Sequence, residues 1–160
     1  MKKSWLILIA IPLLLLSRGE AYACKCGKPS VEWSFEKVPV IFSGEVVKLH
    51  LFRAIFKIEK MWKGKPAEEI VMLTGETRGA DGYLISSSCN FRYARGEKYL
   101  VYASGSITEL KASVCSRTKP LKSATDDVRE LERLKRAGDK RERGVSTRAA
   151  PNKALQLTAR

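Results

Sequence analysis

The sequence predicts a mainly β domain, a small barrel or sandwich, with a short helix before the strands and a longer helix after them. Three observations carry that prediction. Between Val40 and Val114, about five short apolar or alternating segments are separated by turn residues. Four cysteines follow a stretch with the features of a cleavable leader, an even number suited to an oxidising compartment. Val128, Leu131 and Leu134 then repeat with a helical period beyond the last strand. With 160 residues, the chain has room for one ordinary domain and little else.

The first segment, 1–23, reads as a signal peptide. Lys2 and Lys3 form a positive n-region, 5–16 is almost unbroken apolar sequence, and Ala21-Tyr22-Ala23 is a small-x-small cleavage pattern. The apolar run is shorter than the roughly 20 residues a membrane-spanning helix needs. Cleavage after Ala23 would make Cys24 the first residue of a secreted or periplasmic protein. A small residue directly before Cys24 also suits lipoprotein processing, which would acylate that cysteine and anchor it. That route wants a Leu-like residue where Ala21 stands and a small one where Tyr22 stands, so plain cleavage is the reading adopted.

The domain then occupies 24–136. Pro29-Ser30 starts a short helix over 31–37, with Ser30 as N-cap, Glu32 at the positive end of the dipole, and Trp33 or Phe35 facing inward. Val38-Pro39 breaks it. Residues 40–49 read as a strand in which Gly44 marks a bulge or sharp bend. Residues 53–62 alternate, with Phe56, Ile58 and Trp62 on one face and Lys57 and Glu59 on the other. Lys63-Gly64-Lys65-Pro66 is a turn, and 69–74 a third strand ending at Gly75. Residues 76–88 read as a loop anchored at Cys89. Two more strands, 99–103 and 107–114, flank the Ser104-Gly105-Ser106 turn. Pro120 ends the β region, and 124–135 is a helix capped by Ser123 or Thr125. The remainder, 137–160, is charged and then rich in Ala, Pro and Thr, and reads as a basic, disordered tail.

The cysteines are Cys24, Cys26, Cys89 and Cys115. A zinc site fits them poorly, because structural zinc ligands come as two close couples. A Cys24–Cys26 bond would close a strained ring, which leaves each N-terminal cysteine tied to a distant segment in one of two ways. The loops closed are long, so each bond contributes about 2–4 kcal/mol. The formal charge is +13; the leader holds a net +2 and 135–160 a net +6, which leaves +5 for 24–134. Charge concentrated in the tail points to anionic envelope components rather than specific nucleic-acid recognition.

No catalytic residue, metal-ligand set or cofactor motif emerges, and the chain is not expected to be an enzyme. His50 is the single histidine and has no acidic neighbour in sequence. Serines 86–88 belong to no nucleophile elbow. Gly79-Ala80-Asp81-Gly82 lacks the spacing of a phosphate loop, and Asp126 and Asp127 read as helix-start acids.

Several stretches together resemble the netrin-like domain family, and within it the tissue inhibitors of metalloproteinases and their bacterial relatives. They are Cys24-Lys25-Cys26 with Pro29, Val40-Ile41-Phe42-Ser43-Gly44, Phe56-Lys57-Ile58-Glu59-Lys60-Met61-Trp62-Lys63-Gly64, Ser88-Cys89-Asn90-Phe91, Glu97-Lys98-Tyr99-Leu100-Val101-Tyr102-Ala103 and Val114-Cys115-Ser116. The resemblance implies a five-stranded OB-fold-like Greek-key barrel with flanking helices. It also implies the pairs Cys24–Cys89 and Cys26–Cys115. In the family's animal inhibitors the first cysteine carries the mechanism: the α-amine and carbonyl oxygen of Cys24 would chelate the catalytic zinc of a target protease and displace its water. Lys25 would then point into the protease's specificity pocket. The animal proteins carry a small residue there, so the resemblance implies a different metalloprotease as target. The other class of function is a non-inhibitory extracellular or envelope binding module using the barrel face and basic surface, with Lys57, Lys60, Lys63 and Lys65 as its cations.

Intact mass of the exported protein checks the leader and cysteine readings together. The expected mass begins at Cys24 and is about four hydrogens light before reduction. Added acyl mass would mean that Cys24 is a lipid anchor.

Overall fold

The architecture was obtained as a computed structural model, which describes residues 24–148 apart from Lys28. The signal-peptide reading of 1–23 and the tail beyond Arg148 lie outside those residues. A short helix, α1 (Val31–Lys37), comes first. The Ser30 hydroxyl accepts the Trp33 N–H at 3.1 Å, the expected N-cap. Pro39 forces Val38 into extended backbone and stops the helix. Phe35, half-buried, faces the body, while Trp33 is exposed. At the helix end, Lys63 Nζ donates to the carbonyls of Phe35 (2.6 Å) and Glu36 (2.9 Å), filling acceptors that the last turn leaves open.

Strands β1 (Val40–Leu49), β2 (Arg53–Lys63) and β3 (Glu69–Leu73) form an antiparallel meander. A small two-stranded ribbon follows, β4 (Thr77–Arg78) with β5 (Leu84–Ile85). Then come β6 (Lys98–Ala103), β7 (Leu110–Lys111) and β8 (Lys119–Pro120). The main sheet has six strands in the order β7-β3-β2-β1-β6-β8, with β3 and β7 parallel. Just past β6, Ser104 exchanges two backbone bonds of 2.9 Å with Lys111 of β7. That pairing joins the two ends of the run β6-β1-β2-β3-β7, so the sheet curls back on itself. Gly44 permits the curl: the register of β1 against β2 shifts beside it, and a Cβ there would sit 2.5 Å from the Lys57 carbonyl oxygen.

Successive side chains point to opposite faces, and here both faces of β1 and β6 are covered. Phe42, Val46, Phe56, Met72, Tyr93, Tyr99 and Val101 fill the inside of the curl. Phe56 meets Phe42 at 5.4 Å and Tyr93 at 5.0 Å, edge to face. On the outer face, Ile41, Trp62, Leu100 and Tyr102 pack with Val31 of α1 and with Leu131. Leu131 belongs to the second helix, α2 (Thr125–Arg148), which a 3₁₀ turn at Leu121–Ser123 introduces.

The structure departs from the sequence reading in four places. The strand expected over 107–114 is reduced to Leu110–Lys111; a turn in which Glu109 N–H bonds the Ser106 carbonyl precedes it, and Ile107 is exposed. The loop expected over 76–88 contains the β4–β5 ribbon, whereas Pro120, expected to end the β region, is the last residue of the last strand, β8. Neither Ser123 nor Thr125 caps α2: the Ala124 carbonyl takes the first helical bond, and the Ser123 hydroxyl donates to Pro120 O. Finally, residues 137–148, read as disordered tail, continue α2. Ala, Lys, Arg and Glu are good helix formers and extend the helix despite a cost of roughly 1 kcal/mol at each of Gly138 and Gly144.

Helix α2 is held to the sheet by ionic contacts as well as by Leu131. Asp127 is buried; it accepts bonds from Arg117 (2.7 and 2.6 Å), Lys119 (3.1 Å) and the Tyr102 hydroxyl (3.2 Å). On its own burial would raise the Asp127 carboxyl, but the bonds from Arg117 and Lys119 outweigh it and leave the group below the usual carboxylate range. Farther along, Glu132 accepts Trp62 Nε1 at 2.7 Å and Lys60 Nζ at 2.6 Å, and Lys135 Nζ reaches Met61 O at 2.8 Å.

Replacing Asp127 by Ala is expected to cost about 3 kcal/mol at neutral pH, because it strands two partly buried cations. The depressed carboxyl contributes stability that is present above its unfolded value of about 3.9 and lost as pH falls through the folded value. The stability gap between the wild type and Asp127→Ala, measured by urea unfolding, should therefore close below about pH 4.

Candidate functional site

The sequence places two of its four cysteines within the first three residues of the described chain, and the fold pins both. Cys24 is bonded to Cys89, in the loop after the β4–β5 ribbon, and Cys26 to Cys115, after β7. The Cα–Cα distances are 5.8 and 5.1 Å. The two anchor loops are themselves joined: Val114 N–H donates to Cys89 O at 2.9 Å, and Asn90 bridges to Ser113. Serines stiffen both loops, with Ser87 Oγ accepting Cys89 N–H and Ser113 Oγ accepting Cys115 N–H. Gly75, at φ 81°, lets Asn90 approach; a Cβ there would lie 2.4 Å from its side chain.

Residues 24–27 and Pro29 thus form a strap on the surface. Cys24 is half-buried against Ser88, with its Sγ 3.8 Å from the hydroxyl, whereas Lys25, Cys26 and Gly27 are exposed. The strap's far end is tied by Arg117, whose Nη1 donates to Pro29 O at 2.7 Å. Arg117 is the guanidinium that also grips Asp127, so the strap is coupled to the α2 anchor. A cavity of about 410 Å³ lies beside it, walled by Cys26, Gly27, Pro29, Val114 and the 115–119 segment.

Of the residues weighed in the sequence, Cys24, Lys25, Cys26, Cys89 and Cys115 come together here. His50 is exposed in the β1–β2 turn, and Ser86 donates to Glu76 at 2.8 Å, away from any histidine. Of the four lysines read as a binding face, Lys60 pairs with Glu132 and Lys63 caps α1, whereas Lys57 and Lys65 are exposed. Arg117 escaped the sequence reading, and Asp127, read only as a helix-start acid, is the buried anchor of α2. A signal existed for Asp127: it precedes Leu131 by four and Leu134 by seven, which puts a carboxylate on the apolar stripe of α2 and calls for a buried partner. Arg117 carried no comparable signal.

Among the described residues no group of three or more His, Cys, Asp or Glu side chains is placed to hold a metal ion. No helix among them is long and apolar enough to cross a membrane. The disulfides fit an oxidising compartment.

The paired substitution Cys26→Ser with Cys115→Ser opens a loop of sequence separation 89. It should cost about 2–4 kcal/mol in denaturant unfolding. Amide exchange should rise first in 25–27, while the strands inside the curl stay protected.

The comparisons with known proteins add no assignment: no family model matches the chain, and no curated protein matches it.

Proposed function

We propose that the chain is an exported, TIMP-like inhibitor of zinc metalloendopeptidases, acting through the N-terminus that leader cleavage after Ala23 would create. The observation that carries the proposal is the strap. Two disulfides hold Cys24 and Cys26 on a rigid base and leave Lys25 exposed between them. A terminus so fixed loses little further freedom when it enters a protease cleft, which lowers the entropic cost of binding. The α-amine lone pair and carbonyl oxygen of Cys24 would fill the open coordination position of the target's zinc and displace its water. Lys25 would enter the neighbouring pocket. An ammonium there must keep a hydrogen-bonding or acidic partner, so the favoured target carries a carboxylate in that pocket.

The fold reading that accompanies this proposal is an OB-type barrel. Its support is the closed run β1-β2-β3-β7-β6 with a single parallel pair, flanked by α1 and α2.

A second reading, a binding module without inhibition, draws on a different observation. An open groove of about 590 Å³ runs over β3 and β7, walled by Val40, Ile70, Leu73, Ile107 and Leu110, with Arg53 and Lys65 also lining it. Apolar walls with a few polar groups are what a ligand cleft needs, and fold alone does not choose between the readings.

The deciding experiment compares the exported protein with two altered forms, one carrying an extra residue before Cys24 and one with its amine acetylated. The first should inhibit a zinc endopeptidase and both altered forms should not. Potency should rise with pH through about 7.7–8.0, as the α-amine loses its proton. Inhibition that survives either alteration would sink the chelation mechanism and leave the groove as the leading site.

A further inference from the structure

Strand β3 is paired unequally on its two sides. Facing β2 it is paired along its whole length, from Glu69↔Lys57 to Leu73↔Arg53. Facing β7 it is paired only at Met72 and Leu73. The ladder with β2 fixes where the remaining backbone groups point. Ile58 N–H donates to Glu68 O at 2.8 Å and Thr74 N–H to Phe52 O at 3.1 Å. Bonded and non-bonded pairs alternate in an antiparallel ladder, so between those two Ile70 and Met72 carry the bonds to β2. The backbone groups of Glu69 and Val71 therefore point away from β2, toward the line along which β7 lies.

The chain before β7 does not fill that line. It closes on itself: Glu109 N–H bonds Ser106 O at 3.0 Å, and the Ser106 and Thr108 hydroxyls meet at 3.1 Å. Among the described residues no backbone hydrogen bond joins this turn to Glu69 or Val71. The gap that results is part of the groove of about 590 Å³, with Glu69–Val71 recessed between Pro66-Ala67 and Ile107-Thr108. Val71 and Ile107 are left 47% and 69% exposed beside it.

We infer that the groove accepts an extended peptide segment of a partner protein, which joins the open part of β3 as an added strand. The backbone edge selects this occupant. An acyl chain would cover the apolar walls but desolvate the Glu69 and Val71 amides without bonding them, a cost that a peptide backbone avoids. A second copy of this chain offers the same edge, and two edges each recessed between walls cannot reach one another. Alternate side chains of the peptide face the apolar walls and the others face solvent. Arg53 and Lys65 line the groove with one acid, Glu69, so its charge is positive and an acidic residue at the Arg53 end completes the fit. Such an occupant rests on the groove reading of the function and not on the strap.

The probe is a blocked hexapeptide of alternating Val and Thr, made with Asp at either end and added to the exported protein. Amide NMR shifts are expected to concentrate at 69–71 and 107–110. Of the peptide's two alternate sets of backbone nitrogens, methylating the one that faces β3 should weaken binding about tenfold, and methylating the other should change it little. Val71→Pro removes the outward N–H but no bond to β2, and should weaken binding to a similar degree. Val71→Thr should bind as wild type, and urea unfolding should show both variants folded. Arg53→Gln should weaken the Asp peptide about threefold and erase its advantage over the Asn analogue. Equal losses from the two methylation patterns would overturn the strand pairing. A concentration-dependent dimer lost in Val71→Pro would assign the edge to a second copy and overturn it too. Tighter binding of laurate would keep the groove as a site but make it one for lipid. Failure of both peptide and laurate to bind would remove the groove reading together with its occupant.

Discussion

Beneath the first turn of α2, the Asp127 carboxylate meets two cations from the 117–119 segment and a phenol from β6. Removing such a charge from water costs several kcal/mol, which one contact would not offset. Here Arg117 binds bidentately, Lys119 adds a second cation and the Tyr102 hydroxyl donates from β6. Arg117 then extends its remaining reach to Pro29 O. Helix α2, the edge strand β8 and the N-terminal strap at Pro29 therefore share one electrostatic anchor, and none of them can shift without unpairing a buried or half-buried charge.

Around that anchor the molecule has two cores with different construction. The inner one is aromatic, with Phe42, Phe56, Tyr93 and Tyr99 meeting edge to face, and the curl of the sheet encloses it. The outer one is thinner: Ile41, Trp62, Leu100 and Tyr102 lie under the two helices. Strands β1 and β6 serve both, which explains why Val40-Ile41-Phe42 and Tyr99-Leu100-Val101-Tyr102 are unbroken apolar runs rather than alternating ones. Closing the curl requires only two residues of β7, because Lys111 is bonded on both sides, to β3 and to Ser104.

The candidate surfaces fall on separate parts of this frame. The strap lies at the disulfides and the groove over β3 and β7. A strap held by covalent bonds and a groove open to the surface leave the cores free of functional strain. Among the described residues the backbone agrees: positive φ is confined to glycines, and every peptide bond is trans.

Local chemistry alone determined α1 with its Ser30 cap, the extents of β1 and β2 to within a residue, the bend at Gly44 and the start of a C-terminal helix. Each depends on propensity, capping or periodicity over neighbouring residues. The same sequence misjudged 107–114, because β-propensity there is not matched by a partner strand beyond Leu110–Lys111. It also ended α2 early, because charged helix formers on a solvated surface look like a tail when no apolar stripe continues. Which cysteines pair, which strand closes the curl and what neutralises Asp127 were decided only in the tertiary structure. Those contacts join segments tens of residues apart, and their energies depend on burial and mutual geometry that no local pattern encodes.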